Sequence, residues 1–382
     1  MSQPVVLGIG YSGFQPSTSH YNIREMIYEA AAKAYEDAGG IDPGSDVDAF
    51  VSCQEDFWEG ISINDEFVPD QLGAVLKPVY TISGDSLQCV LSAYSMIRSG
   101  AFDIVVVESH GKPSEILTMR DIILMSYDPI YIRPLNPENV FVFNALEAKA
   151  FMEYNKIDRE ALGRYVISSL RKGLRGRRNP YASIKNVEAY LEEEYVVEPL
   201  TKLDFAPYSD AAVVVVIASE DVAKKFSDEY IKISGVWSVS GTSSIVYDDL
   251  REDTMTKIAA RKVFDMTGIK DPVREIGVFE IDERISHVPL MVIKALRLSE
   301  DVNRDLMMGR FDEEGDLPVN PFGGALSEGN VLEAHGLARL VNAYEILKGS
   351  LGSRRYSDVE KILIHSRRWP SSRTTTLAIL SR

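Results

Sequence analysis

Within TISGDSLQCVLSAYSMIRSG, residues 81–100, two side chains could attack a carbonyl carbon: Ser83 and Cys89. Ser83 stands just before a helical pattern that puts Ala93, Met96 and Ile97 on one apolar side and stops at Gly100. Backbone N–H groups at a helix start favour negative charge, so a thiolate there would be stabilised. A serine hydroxyl is far less acidic and needs a neighbouring base. Its plainer role is to cap the helix, with Asp85 following in the first turn. Cys89 lies about 9 Å further along the axis at ~1.5 Å per residue, so it cannot occupy the helix end. It reads as a small core residue with an inert thiol.

The candidate bases are few. His365 lies in KILIHSR near a strand end, where it pairs with Ser83 or is a satisfied polar group. His335 reads as a helix-surface residue, and His110 carries no pairing signal. Asn330 follows Gly329 and suits a turn; its amide donates a hydrogen bond but cannot cycle a proton. The segment 161–187 has no acidic residue and carries Arg164, Arg171, Lys172, Arg175, Arg177, Arg178 and Lys185. It is either a solvated face that docks on an acidic neighbour or an arginine clamp for a phosphate-bearing ligand tail.

The chain that carries these groups has 382 residues and a formal charge of −16. Such a charge repels nucleic acid and anionic membrane surfaces. Two cysteines, Cys53 and Cys89, exclude a disulfide framework and a four-cysteine metal site. The N-terminal MSQPVVLGIGYSGF lacks the pattern of a secretory leader, and no apolar run is long enough to span a bilayer, so a cytoplasmic protein is expected.

Short β-branched runs alternate with amphipathic helices. PVVLGIGYS, VDAFVSC, FDIVVVES and the wholly apolar AAVVVVIAS read as strands. With helices over 22–40 and 84–99, they predict a mostly parallel α/β sheet. YIKISGVWSVS opens a second series, with helices at 251–267, 287–299 and 331–348 and closing strands KILIHSR and TTTLAILS. The division expected is an N-terminal half, 1–225, and a C-terminal half, 226–382. Segment 113–205, with helices at 145–154 and 159–173, forms a helical cap inserted in the first half.

Four segments in this order resemble the thiolase superfamily, most closely its archaeal and sterol-carrier-protein-x types. SGDSLQCVLSAYSMIRSGAFDIVVVES resembles the nucleophile helix, with Ser83 where the family has cysteine. EAKAFMEYNKIDREALGRYVISSLRKG with RRNPYASI resembles the cap, and VVEPLTKLDFAPYSDAAVVVVIAS the strand after it. PVNPFGGALSEGNVLEAHG resembles the glycine-rich loop that carries the family's Gly-His-Pro. The resemblance implies two duplicated α/β halves in αβαβα layers, acyl transfer on acetyl-CoA, and a homodimer or tetramer. It also implies a small zinc-ribbon/OB-fold partner and condensing enzymes as companions.

The same resemblance marks what is changed. Ser83 replaces the nucleophile, and Asn330 replaces the histidine of Gly-His-Pro. The His-Asp-Ala-Phe position reads Ile281-Asp282-Glu283-Arg284, so Asp282 alone is kept. The last loop keeps His365, but Arg367, Arg368 and Trp369 stand where small residues are usual. Loss of thiolate and base together predicts an acyl-CoA-binding protein without ordinary acetyl transfer. The resemblance implies a coenzyme A groove along Arg171, Lys172, Arg175, Arg177, Arg178, Tyr181, Ser209, Gly323 and Gly324. Two alternatives remain: an active acyltransferase or thioesterase using Ser83 with His365 or Cys89, and a purely structural subunit whose groove is blocked by the bulky last loop.

Overall fold

A computed structural model describes residues 2–56, 58, 64–130, 139–242, 249–312, 314–351, 354–370 and 372–382. Its centre is a nine-stranded sheet in the order β3-β2-β4-β7-β1-β8-β11-β10-β9. The strands are β1 (Pro4–Gln15), β2 (Ala49–Cys53), β3 (Val79–Ile82), β4 (Ile104–Gly111), β7 (Asp210–Ser219), β8 (Ile231–Val239), β9 (Val278–Ile281), β10 (Lys361–Arg367) and β11 (Thr375–Ser381). A small hairpin, β5 (Tyr195–Val197) with β6 (Leu200–Thr201), belongs to the cap.

The order repeats about the β1–β8 seam. Outward from it run β1-β7-β4-β2 on one side and β8-β11-β10-β9 on the other, with matching directions. This is the repeated α/β architecture of the thiolase fold. The expected mostly parallel sheet is corrected: β7 and β11 each run antiparallel to both neighbours. β11 returns from β10 through a short connection, which permits only antiparallel pairing. β7 enters its half from the long cap excursion rather than from a βαβ crossover. β3 was hidden in sequence because its four residues are only half-buried and its pattern is weak.

Two helices, Ser86–Arg98 and His335–Leu347, pack against strands of this sheet and against each other. Every residue of the second is buried, as a helix covered on all sides requires. Its apolar residues Leu337, Ala338 and Val341 join Leu87, Val90 and Ala93 in one core. Its polar residues are paired inside: Arg339 with Glu280 at 3.1 Å, and Asn342 with Glu280 at 3.1 Å. The helices meet at their N-termini, where the Leu337 N–H donates to Ser86 Oγ at 2.9 Å. A Cβ on Gly336 would sit 2.3 Å from Asp85 Oδ1, so only glycine permits this approach.

The cap contributes helices Met119–Ser126, Val142–Asn155, Arg159–Lys172 and Val187–Leu191. Ala148, Phe151, Tyr165 and Val166 share a core with Phe279, Leu290 and Ile293 of the C-terminal series. That packing seats the cap on the C-terminal series. Among the described residues, no helix is long and apolar enough to cross a membrane.

Candidate active site

The Ser86 helix begins later than its sequence reading. Asp85, in extended conformation, is its N-cap: the side chain accepts from the Leu87 N–H at 3.1 Å, and Gln88 Oε1 takes the Asp85 N–H at 3.1 Å. Ser83 therefore lies outside the helix, and the expectation that it caps the helix is corrected. It is exposed at the end of β3, and its Oγ receives a hydrogen bond from Arg368 at 3.3 Å. Arg368 also forms an ion pair with the buried Glu55. Burial pushes the Glu55 carboxyl up, against the pull of Arg368.

Behind Ser83, buried charges converge. Asp85 Oδ2 accepts from Ser366 Oγ at 2.8 Å and lies 3.8 Å from Arg284. Burial raises its pKa although Arg284 and His335 oppose the shift. Arg284 forks onto Asp282 at 2.6 and 3.2 Å and donates to the Leu332 carbonyl at 3.3 Å. His335 Nε2 lies 3.3 Å from Asp282 Oδ1. Burial alone would raise the Asp282 pKa, but Arg284 and His335 overcome it and hold the carboxyl well below the usual range. His335 is fully buried at the start of its helix, not on a helix surface as expected.

The proposed Ser83–His365 pair is not assembled. Alternation along β10 turns Ser366 toward Asp85 and His365 to the other face. There His365 Nε2 meets Thr256 Oγ1 at 3.1 Å. Burial lowers the imidazole pKa to about 4, so the ring is neutral at pH 7. Cys89 is no nucleophile either. The two cysteines, taken from sequence to exclude a disulfide framework, form one disulfide together, Cys53–Cys89, across β2 and the Ser86 helix. Asn330 holds its own turn, with Oδ1 accepting from the Leu332 N–H at 3.1 Å.

The last loop fills the space above Asp85. Trp369 stacks on Trp58 with ring centroids 5.6 Å apart, and Tyr208 meets it edge-on at 6.2 Å. The cavity bounded by Glu55, Gly84, Asp85, Arg284, Arg368 and Trp369 holds about 10 Å³, at most one water. On the far side of Arg284, Arg368 and Trp369 lies a second cavity of about 60 Å³, walled by Tyr127, Phe143, Glu147, Arg367 and Arg373. Arg367 and Arg373 both pair with buried Glu147 at 2.9 Å.

The basic segment splits. Lys172 is buried, donating to the Val319 carbonyl at 2.7 Å, and Arg178 is buried against Glu328 at 3.1 Å and Glu345 at 2.8 Å. Neither reaches a surface ligand, which corrects their assignment to the clamp. Arg171, Arg175, Arg177 and Lys185 stay exposed. Tyr181 donates to the Tyr208 carbonyl, and Ser209 Oγ to the Glu328 carbonyl at 2.9 Å, so both knit the loop together. Gly323 and Gly324 are close-packing residues: a Cβ would sit 2.3 Å from Ser327 Oγ and 2.4 Å from Glu283 respectively. Sequence reasoning missed Arg284, Ser366 and Glu55 as site residues. For Asp85 a signal existed, because D-S-L-Q is a capping-box pattern.

Comparison with known proteins agrees with this architecture. Residues 238–382 match the "Thiolase C-terminal domain-like" family. The acetyl-CoA acetyltransferase of Methanothermobacter thermautotrophicus is 25% identical over 378 residues, covering 96% of each chain. Sterol carrier protein 2 of Oryctolagus cuniculus is 26% identical over 199 residues, 49% of this chain and 36% of that protein. A solved structure described as the Ltp2-ChsH2(DUF35) aldolase superposes with a TM-score of 0.82 at 19% identity, covering 100% of this chain and 98% of that one. The chain is thus similar to the thiolase superfamily in its C-terminal region and, end to end, to an archaeal acetyl-CoA acetyltransferase, and it shares its fold with the solved neighbour.

Proposed function

We propose that the protein binds acyl-CoA as a non-condensing subunit of a thiolase-type assembly. The observation that carries this reading is Asp85 at the N-cap. In a thiolase step the helix N-terminus stabilises a thiolate, and donors nearby stabilise the developing oxyanion. Here a carboxylate takes one of those N–H groups, and the nearest exposed nucleophile is an alcohol whose neighbours are Arg368 and Glu55. A guanidinium cannot accept the serine proton. The Glu55 carboxyl takes a hydrogen bond from Ser83 but is shared with Arg368 and Trp58.

Acyl-CoA binding is supported by the end-to-end likeness to an acetyl-CoA acetyltransferase. An assembly role is supported by the structural neighbour whose description pairs it with a DUF35 protein. Pairing of two copies is supported by β3, a half-exposed edge strand preceded by exposed Val75 and Leu76. A second reading, a purely structural subunit, is favoured by one observation: the cavity above Asp85 holds only about 10 Å³.

Calorimetric titration with coenzyme A and acetyl-CoA tests the proposal. Saturable binding without turnover or covalent adduct supports it. Absence of binding up to roughly 1 mM, where the free energy is only about −4 kcal/mol, leaves the structural subunit.

A further inference from the structure

A separate pocket lies at the opposite end of the His335 helix. It holds about 220 Å³ and is lined by Phe322, Ile346, Leu351, Arg354, Tyr356 and Ser357. Between His335 and Ile346 the helix rises about 16 Å, so this pocket is remote from Asp85. Its floor is aromatic, with Phe322 and Tyr356 edge to face at 5.5 Å.

Arginines from two distant segments gather around it. Arg177 of the cap donates to the Ser350 carbonyl at 2.6 Å, which fixes the cap's basic turn beside the pocket's rim. The backbone of Gly176 packs on the Phe322 carbonyl so closely that a Cβ would lie 2.4 Å from it. Arg355 pairs with Glu314 at 2.8 Å, and Arg175 approaches the same carboxylate at 3.8 Å. The Arg355 guanidinium also lies 5.8 Å from the Tyr356 ring centre. Arg354 lines the pocket, is exposed, and forms no ion pair among the described residues. Among the described residues, the acidic groups on this rim are Glu314 and Asp358, which accepts from Ser357 Oγ at 3.0 Å, and Glu280 acts on Tyr356 from the interior. Among the described residues, Arg175, Arg177, Arg354 and Arg355 outnumber the acidic groups here, in a chain of net charge −16.

We infer that this pocket binds a small organic phosphate, the ring-sized apolar part resting on Phe322 and Tyr356 and the phosphate meeting the arginine rim. Guanidinium forks match phosphate oxygens in pairs, and an aromatic floor accepts a planar group. The volume lies below the ~300 Å³ of drug-sized sites, which limits the occupant to a single ring system. This site is independent of the acyl-CoA reading.

Titration of the full chain with adenosine 5′-monophosphate and phenyl phosphate, beside adenosine and inorganic phosphate alone, tests the inference. At least one phosphomonoester is expected to bind roughly ten-fold or more tightly than either half-probe. Arg354→Ala is expected to weaken it about ten-fold, as loss of a charge-assisted hydrogen bond does. Tyr356→Leu is expected to weaken the ring-bearing probe and leave inorganic phosphate unchanged. Failure of both phosphomonoesters to bind by about 10 mM, or equal affinity in wild type and Arg354→Ala, overturns the inference. Acetyl-CoA titrated into Arg354→Ala is expected to behave as with wild type. If acetyl-CoA binds wild type and that variant loses it, the pocket is the nucleotide end of the acyl-CoA groove and no separate site exists.

Discussion

Asp85 Oδ1 accepts the Leu87 N–H at 3.1 Å, so the helix that would serve a nucleophile is closed by its own carboxylate. The other oxygen reaches Ser366 on β10, which ties the N-terminal helix to the C-terminal half. The occupied helix start and the tie between the two elements thus come from one side chain.

Removing that side chain should cost stability. Asp85→Ala deletes an N-cap and frees the Ser366 hydroxyl inside the protein, for a loss of about 2 kcal/mol. Asp85→Asn keeps an acceptor for Leu87 and should lose less. Equilibrium denaturation of the two variants checks the order; equal losses would show that the cap is not the main contribution.

His365 predicts a pH dependence. Burial lowers its pKa from an ordinary ~6.5 to about 4, so below pH ~6.5 the unfolded chain binds the proton first. Stability contributed by the neutral ring is present above that pH and lost as pH falls toward 4, by about 3 kcal/mol. Glu280, pushed up to about 7 by burial, titrates with the opposite sign over part of the same window. The test is therefore the difference between wild type and His365→Asn across pH 4–7. A variant whose stability profile parallels the wild type would contradict the assignment.

The last loop should act as a plug. Changing Arg368 and Trp369 to glycine removes two of the three residues shared by the cavities of about 10 and 60 Å³, leaving Arg284, and should join them. Loss of the Trp58–Trp369 stack should lower stability by ~2 kcal/mol. Coenzyme A affinity should rise at least about five-fold, read by calorimetry; an unchanged affinity would show that the loop does not restrict the groove.

The disulfide gives a chemical readout. Alkylation in denaturant without reductant should modify neither Cys53 nor Cys89, and reduction should expose both. Alkylation of both before reduction would contradict the bond. Cys89→Ser should lose roughly 2–4 kcal/mol.

Much of the fold was legible because burial writes itself into composition. AAVVVVIAS could only be a strand covered on both faces, and β7 is buried throughout. The site was harder to read because its partners lie far apart along the chain. Arg178 looks like a surface cation until Glu328 and Glu345 are brought to it. His335 looks like a helix-surface group until Asp282 meets it from β9's end. The face on which His365 lies depends on the register of β10, and a shift of one residue exchanges it with Ser366. Asp85 carries a local signal, its capping box, yet the sequence reading assigns the cap to Ser83, two residues earlier.

Thiolytic cleavage of acetoacetyl-CoA by the wild-type protein, followed beside Ser83→Ala, tests most directly whether Ser83 performs acyl transfer. The wild-type protein is expected to show no turnover above that of the variant and no acyl group on Ser83 by intact-mass measurement. Turnover that disappears with Ser83→Ala, or an acyl adduct at that serine, would contradict it.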